Sequence, residues 1–230
     1  MEEEEVKKEE SKKDKKRIGF KILLGIVIVI VALAILFLIN FIRNLVILND
    51  LIAKELSFKN STNYSYTSVY YDTSDEDNKV SIEIYYKDGK SKMILDSGKD
   101  KIIVWYDEKT KENIFLNEAT KQASVTSSED MLGDELLYFY DEDNKIYYAM
   151  TSFITNSEID GQKSYKIVNS NDVSYINKED GTVLKNVYKG AIVNDEKCDS
   201  VTEYKNWKFN ELTEKEMERP NLAEYTVVSN

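Results

Sequence analysis

The sequence predicts a mainly β (α+β) protein in which a single N-terminal transmembrane helix precedes a curled antiparallel sheet covered by helices. Three observations predict it. Ile22 to Ile39 is an 18-residue run without a polar side chain. From Tyr64 onward apolar residues recur at every second position. Clusters of Asp, Asn, Gly and Lys punctuate that alternation at short intervals, which is turn chemistry.

The apolar run, extended by Phe20, Phe41 and Ile42, rises about 1.5 Å per residue as a helix and can cross a hydrocarbon core of roughly 30 Å. In lipid the backbone must satisfy its own hydrogen bonds, so a lone segment has to be helical however rich in Ile and Val it is. Lys7, Lys8, Lys12, Lys13, Lys15, Lys16, Arg17 and Lys21 precede the run, and only Arg43 and Lys54 follow closely. That asymmetry keeps the N-terminus in the cytoplasm and places the rest outside. Ala32-Leu33-Ala34 offers a small-x-small site for a competing reading as a cleaved signal peptide. The apolar run continues past it through Ile39, which favours an uncleaved signal anchor in the cell membrane. No Cys lies nearby for a lipid anchor.

Residues 1–17 hold seven acids, seven bases and little that could be buried, the composition of a disordered cytoplasmic tail. Residues 18–43 form the transmembrane helix. Residues 44–230 carry 35 acids against 22 bases and make one extracytoplasmic β domain large enough for a core. Its negative charge repels nucleic acid, and no nucleic-acid partner is expected.

The chain has no His, one Cys and one Pro. Imidazole bases, His-ligated metals and disulfide frameworks are thereby excluded, and Cys198 has no imidazole to activate it. No Gly-rich phosphate loop or nucleophile elbow occurs. A carboxylate pair remains as the one conceivable hydrolytic device. The expectation is a protein without enzymatic activity and without a cofactor. Asp75 to Lys79 and Asp141 to Lys145 repeat Asp-Glu-Asp-Asn-Lys, but lack the Gly and distal Glu of a calcium loop and read as solvated turns.

Leu45, Leu48, Leu51, Ile52 and Leu56 at three- and four-residue steps predict an amphipathic helix after the span. Strands are predicted over 64–71, 80–87, 90–96, 101–106, 113–116 and 122–126. A short helix is expected within 127–140. Strands resume over 145–153, 163–169, 173–177, 182–189 and 199–209. Asp88-Gly89 suits a two-residue turn whose central residues both need positive φ, and Asp160-Gly161 and Asp180-Gly181 are read as tight turns joining successive strands. Neighbours in such an order pair antiparallel, and ten or so strands exceed what a flat sheet holds, so the sheet curls around a helix.

The end of the chain carries a resemblance. Strand 173–177, the turn Lys178-Glu179-Asp180-Gly181, the returning strand 182–189, the long strand ending Tyr204-Lys205-Asn206-Trp207-Lys208-Phe209 and the closing Pro220-Asn221-Leu222-Ala223-Glu224-Tyr225 follow one another. With the preceding order of anchor, helix and meander, this resembles the lipoprotein-carrier superfamily, the LolA-like half-barrels, over roughly residues 44–226. It suggests a membrane-anchored bacterial member near the RseB-type regulators. Where relatives carry a Thr-Gly-x-Pro turn, this chain has Gly181-Thr182-Val183-Leu184.

The resemblance implies a half-barrel whose concave apolar surface holds a lipid, an acyl chain or a lipidated protein partner, in envelope lipoprotein handling or sensing. Ile82, Ile84, Met93, Leu95, Ile103 and Trp105 are the candidate lining, though alternating apolar residues are also what any sheet needs for its core. Tyr pairs at 70–71, 85–86 and 147–148 put one ring on each face of a strand, and outer rings could stack on sugars or a protein. The alternative is a structural or protein-interaction module of a cell-envelope complex without a ligand cavity.

Overall fold

The computed structural model describes residues 2–59, 61–127, 144–193 and 196–228. They divide into two units, Met1–Val46 and Ile47–Asn230.

Helix α1 runs Glu2–Lys59. It takes in residues 2–17, expected as a disordered tail. Within the first unit, the side chains from Leu23 to Ile39 are exposed, and the stretch beginning at Leu23 is long and apolar enough to cross a membrane.

In the second unit, α1 ends as the amphipathic helix the spacing predicts: Leu48, Leu51 and Ile52 are buried while Asn49 and Asp50 face solvent. The strands that follow are β1 (Asn63–Asp72), β2 (Asp75–Lys87), β3 (Lys90–Asp96), β4 (Lys101–Asp107), β5 (Glu112–Asn117) and β6 (Gln122–Ser127). Helix α2 (Lys145–Thr151) precedes β7 (Phe153–Ile159), β8 (Gln162–Asn169), β9 (Asp172–Asn177), β10 (Val183–Val193) and β11 (Glu196–Phe209). A short β12 (Thr226–Val227) closes the chain.

All twelve strands form one sheet in the order β12-β6-β5-β4-β3-β2-β1-β11-β10-β9-β8-β7. Two antiparallel meanders are joined where β11 returns to pair with β1. The sheet is open, ending in β7 on one side and in β12, parallel to β6, on the other. This is the mainly β, open half-barrel architecture the sequence predicts. Asp75 to Lys79, read as a solvated turn, is exposed but belongs to β2, whereas the turn after β2 does what its residues dictate. Asp88 and Gly89 have φ of 50° and 82°, the two positive values of a type I′ turn, and they set Lys87 opposite Lys90.

Three differences have physical causes. The strand expected over 145–153 is α2 followed by the start of β7, because Ala149 and Met150 favour helix and only the small Ala149 is buried in it. Tyr147 and Tyr148 therefore lie on a helix, edge to face at 5.8 Å, and not across a strand. The sequence predicts no β12, since two residues carry no period. The helix expected within 127–140 lies, from 128 on, outside the described residues, while Ser127 ends β6.

Candidate functional site

Register assigns each side chain to one of two faces, because directly paired residues point the same way. One face, here the helix face, runs from Tyr64, Tyr66 and Ser68 through Ile82 and Ile84 to Met93 and Leu95. It continues through Ile102, Val104 and Tyr106 to Phe115. In the other direction it passes Tyr204 and Thr202 to Asn186, Ser174 and Ile167, where α2 lies across it.

The opposite face, the tail face, holds Trp105, Ile114, Leu116 and Ala123 in a buried cluster, with Leu222 and Tyr225 of the closing segment packed on it. The Trp105 indole N–H donates to the Met217 carbonyl at 3.1 Å. Arg219 grips Glu112 in a two-pronged pair at 2.7 and 2.8 Å, and the Tyr225 hydroxyl donates to Glu118. The Leu and Tyr of the Pro-x-Leu-x-x-Tyr ending are thus the anchors that fasten the tail to the sheet.

The six predicted lining residues therefore separate. Ile82, Ile84, Met93 and Leu95 share the helix face; Ile103 and Trp105 sit on the tail face under the closing segment. The β3–β4 ladder pairs Met93 with Val104 and Leu95 with Ile102, so β4 contributes Ile102, Val104 and Tyr106 instead. Sequence reasoning missed these because Ile102 to Tyr106 is continuously apolar and has no alternation to read.

At the middle of the helix face the aromatic rings stack. Tyr66 lies 4.4 Å from Trp207 and 6.1 Å from Tyr204. Trp207 continues onto Phe209 at 6.0 Å, and Tyr64 stacks on Tyr86 at 5.2 Å. Such pairs add about 0.5–1.5 kcal/mol beyond their burial. The Trp207 N–H is taken by the Val183 carbonyl at 3.0 Å. The Tyr66 hydroxyl is buried without a hydrogen-bond partner among the described residues. Burial, with the neighbouring Tyr64 and Tyr204 hydroxyls, pushes this phenol far above its ordinary range. Beyond the stack, Ile82, Met93, Leu95 and Ile102 are only half-buried and Phe115 is exposed, an apolar tract with room beside it.

Two clefts open on the sheet. One of about 700 Å³ is lined by Tyr204 and Trp207 together with Glu158, Asp180, Lys185 and Glu203. Glu203 is partly desolvated, which alone would raise its carboxyl. Hydrogen bonds from Lys205, Tyr71 and Lys185 outweigh that and hold it down at about 2. The second cleft, of about 540 Å³, lies between α2 and strands β8 to β11. None of the six predicted residues lines either.

No family model and no curated protein matches the sequence. Solved structures do. The chain is similar to an uncharacterized conserved protein from Thermus thermophilus, at 15% identity over 78% of this chain and 97% of that one, with a TM-score of 0.49. It is similar to MucB, solved in complex with MucA(peri), at 13% identity over 79% of this chain and 61% of that one, TM-score 0.38. A LolA superfamily protein from Nitrosomonas europaea matches at 10% identity over 70% of this chain and 91% of that one, TM-score 0.30.

Proposed function

We propose that this chain is an envelope protein, anchored in the cell membrane by α1 with its N-terminus in the cytoplasm, whose sheet holds a lipid, acyl chain or lipidated partner without catalysing a reaction. One observation carries the reading: Ile82, Ile84, Met93, Leu95, Ile102 and Val104 form a contiguous apolar tract on one face, and four of them remain half-buried. Apolar surface left partly wet gains roughly 25 cal/mol for each Å² that a ligand covers, and an alkyl chain asks for nothing else from its site. The exposed apolar side chains of α1 from Leu23 to Ile39 likewise call for a non-aqueous surrounding, which a bilayer supplies.

The test is lipid analysis of the full chain purified in detergent, wild type beside a Met93→Asp/Leu95→Asp variant. The reading expects an acyl species in near-stoichiometric amount with the wild type and its loss from the variant. Equal lipid content in both would attribute all of it to the span and contradict the reading. Protease added to cells with a permeabilised outer barrier should digest residues 47–230 and spare the tail; a protected sheet would reverse the orientation.

A protein-interaction module is the second reading. It is favoured by Ile146, Tyr147 and Met150 of α2 and by Phe153, all large apolar side chains facing solvent. That reading expects no acyl species in either protein.

A further inference from the structure

We infer that the cleft between α2 and strands β8 to β11 is a binding site for a neutral saccharide. The acyl tract lies on the β2 to β4 wing of the helix face, whereas this cleft occupies the other wing, so the two sites stand or fall separately.

The walls are tyrosines. Tyr70 and Tyr188 stand on β1 and β10, and Tyr147 and Tyr148 come from α2. Tyr188 is 48% exposed and presents its ring to whatever enters. Between them the sheet offers the uncharged polar side chains Asn169, Ser174, Asn186 and Thr202, beside Ile167, Val173 and Val187.

These groups are held in place from behind. The Tyr70 hydroxyl donates to Asp72 at 3.0 Å, and the Ser200 hydroxyl donates to the same carboxylate oxygen at 2.5 Å. Asn169 donates to the Thr151 hydroxyl at 3.5 Å, which itself donates to the Tyr147 carbonyl at 2.8 Å, fixing α2 over the cleft. The Asn186 amide hydrogen-bonds the Tyr204 hydroxyl. Its Oδ1 is buried and has no partner among the described residues. An acceptor left in that state costs about 1–3 kcal/mol.

The chemistry selects the ligand class. An alkyl chain would desolvate four polar side chains without replacing their hydrogen bonds. An anionic ligand finds no Lys or Arg among the lining residues and meets Asp172. A sugar ring offers what the walls and floor ask for: a C–H face to lie on tyrosine and hydroxyls to exchange with Asn, Ser and Thr. The volume of about 540 Å³ suits a short oligosaccharide.

The experiment is titration of the full chain, in phospholipid nanodiscs free of sugar detergents, with neutral oligosaccharides of two to four rings built on glucose, galactose, mannose or N-acetylglucosamine. Saturation-transfer NMR and calorimetry read binding. At least one series should bind below about 10 mM. Asn186→Ala and Tyr188→Ala should each weaken it about fivefold or more, while Lys109→Ala, in the exposed turn between β4 and β5, leaves it unchanged. Because Tyr188 is largely solvent-facing, its variant keeps the fold and the test. Absence of binding across the panel, equal binding by Tyr188→Ala, or occupation of the cleft by a neutral peptide in preference to every sugar would overturn the assignment.

Discussion

Lys54 lies directly across Gly181. A Cβ added at Gly181 would stand 2.6 Å from the Lys54 Cβ, and the same lysine donates to the Lys178 carbonyl at 2.6 Å while pairing with Asp50 at 2.7 Å. The last turns of α1 are therefore seated on the β9–β10 turn by an approach that only a residue without a side chain permits.

Gly181→Ala should accordingly destabilise residues 47–230 by about 2–4 kcal/mol, combining the cost of φ at +80° with displacement of Lys54. Gly98→Ala is the internal control. Its φ is +76°, but nothing lies within 4 Å of the new methyl, so it should cost only about 1 kcal/mol. Urea unfolding followed by tyrosine and tryptophan fluorescence measures both, and equal losses would remove the close approach from the account.

The tail is held through Trp105. Trp105→Phe keeps most of the burial but strands the Met217 carbonyl, and should cost about 1–3 kcal/mol and speed hydrogen exchange across residues 212–226. Because Trp105 lies on the tail face, the same variant should retain any acyl ligand. Loss of ligand with an intact tail would place that residue in the site after all.

Acid should weaken the sheet at Glu203. Its carboxyl sits at about 2 in the folded chain against an ordinary 4.5, a lowered value. The contribution is thus complete above pH 4.5 and is lost as the pH falls from there toward about 2. Allowing for solvent screening it amounts to about 1 kcal/mol. Stability measured from pH 6 to pH 2.5 should fall less steeply in Glu203→Gln than in the wild type, and parallel curves would contradict the assignment.

Tyr66→Phe should be neutral or stabilising by up to about 1 kcal/mol, since it removes a buried hydroxyl that has no partner among the described residues and keeps the ring stacked on Trp207. Tyr204→Phe, by contrast, removes the group that Asn186 hydrogen-bonds and should cost about 1 kcal/mol. Thermal unfolding of the two variants side by side checks the order.

The first meander is legible because each strand alternates and each turn carries its own chemistry. Lys90 to Asp96 matches its strand residue for residue, and Asp88-Gly89 stands at its turn. The α2 segment is not legible, because Tyr147 and Tyr148 favour strands in isolation and outweigh the helix preference of Ala149 and Met150 in so short a stretch. The site is half legible. Alternation gives Ile82, Ile84, Met93 and Leu95 their common face. The four-residue turn from Ser97 to Asp100 then sets the parity of β4, and no pattern within Ile102 to Tyr106 records it. The cleft under α2 is invisible in the sequence, since the segment that covers it reads as a strand and the polar residues facing it stand singly on four strands.

The most direct measurement is photo-crosslinking of a diazirine-bearing fatty acid to the full chain in membranes, with labelled residues mapped by peptide mass spectrometry. Adducts beyond the span should fall on Ile82, Met93, Leu95 and Ile102, and none on Ile103 or Trp105. Adducts confined to α1, or distributed equally between the two faces of β4, would contradict an acyl-binding sheet.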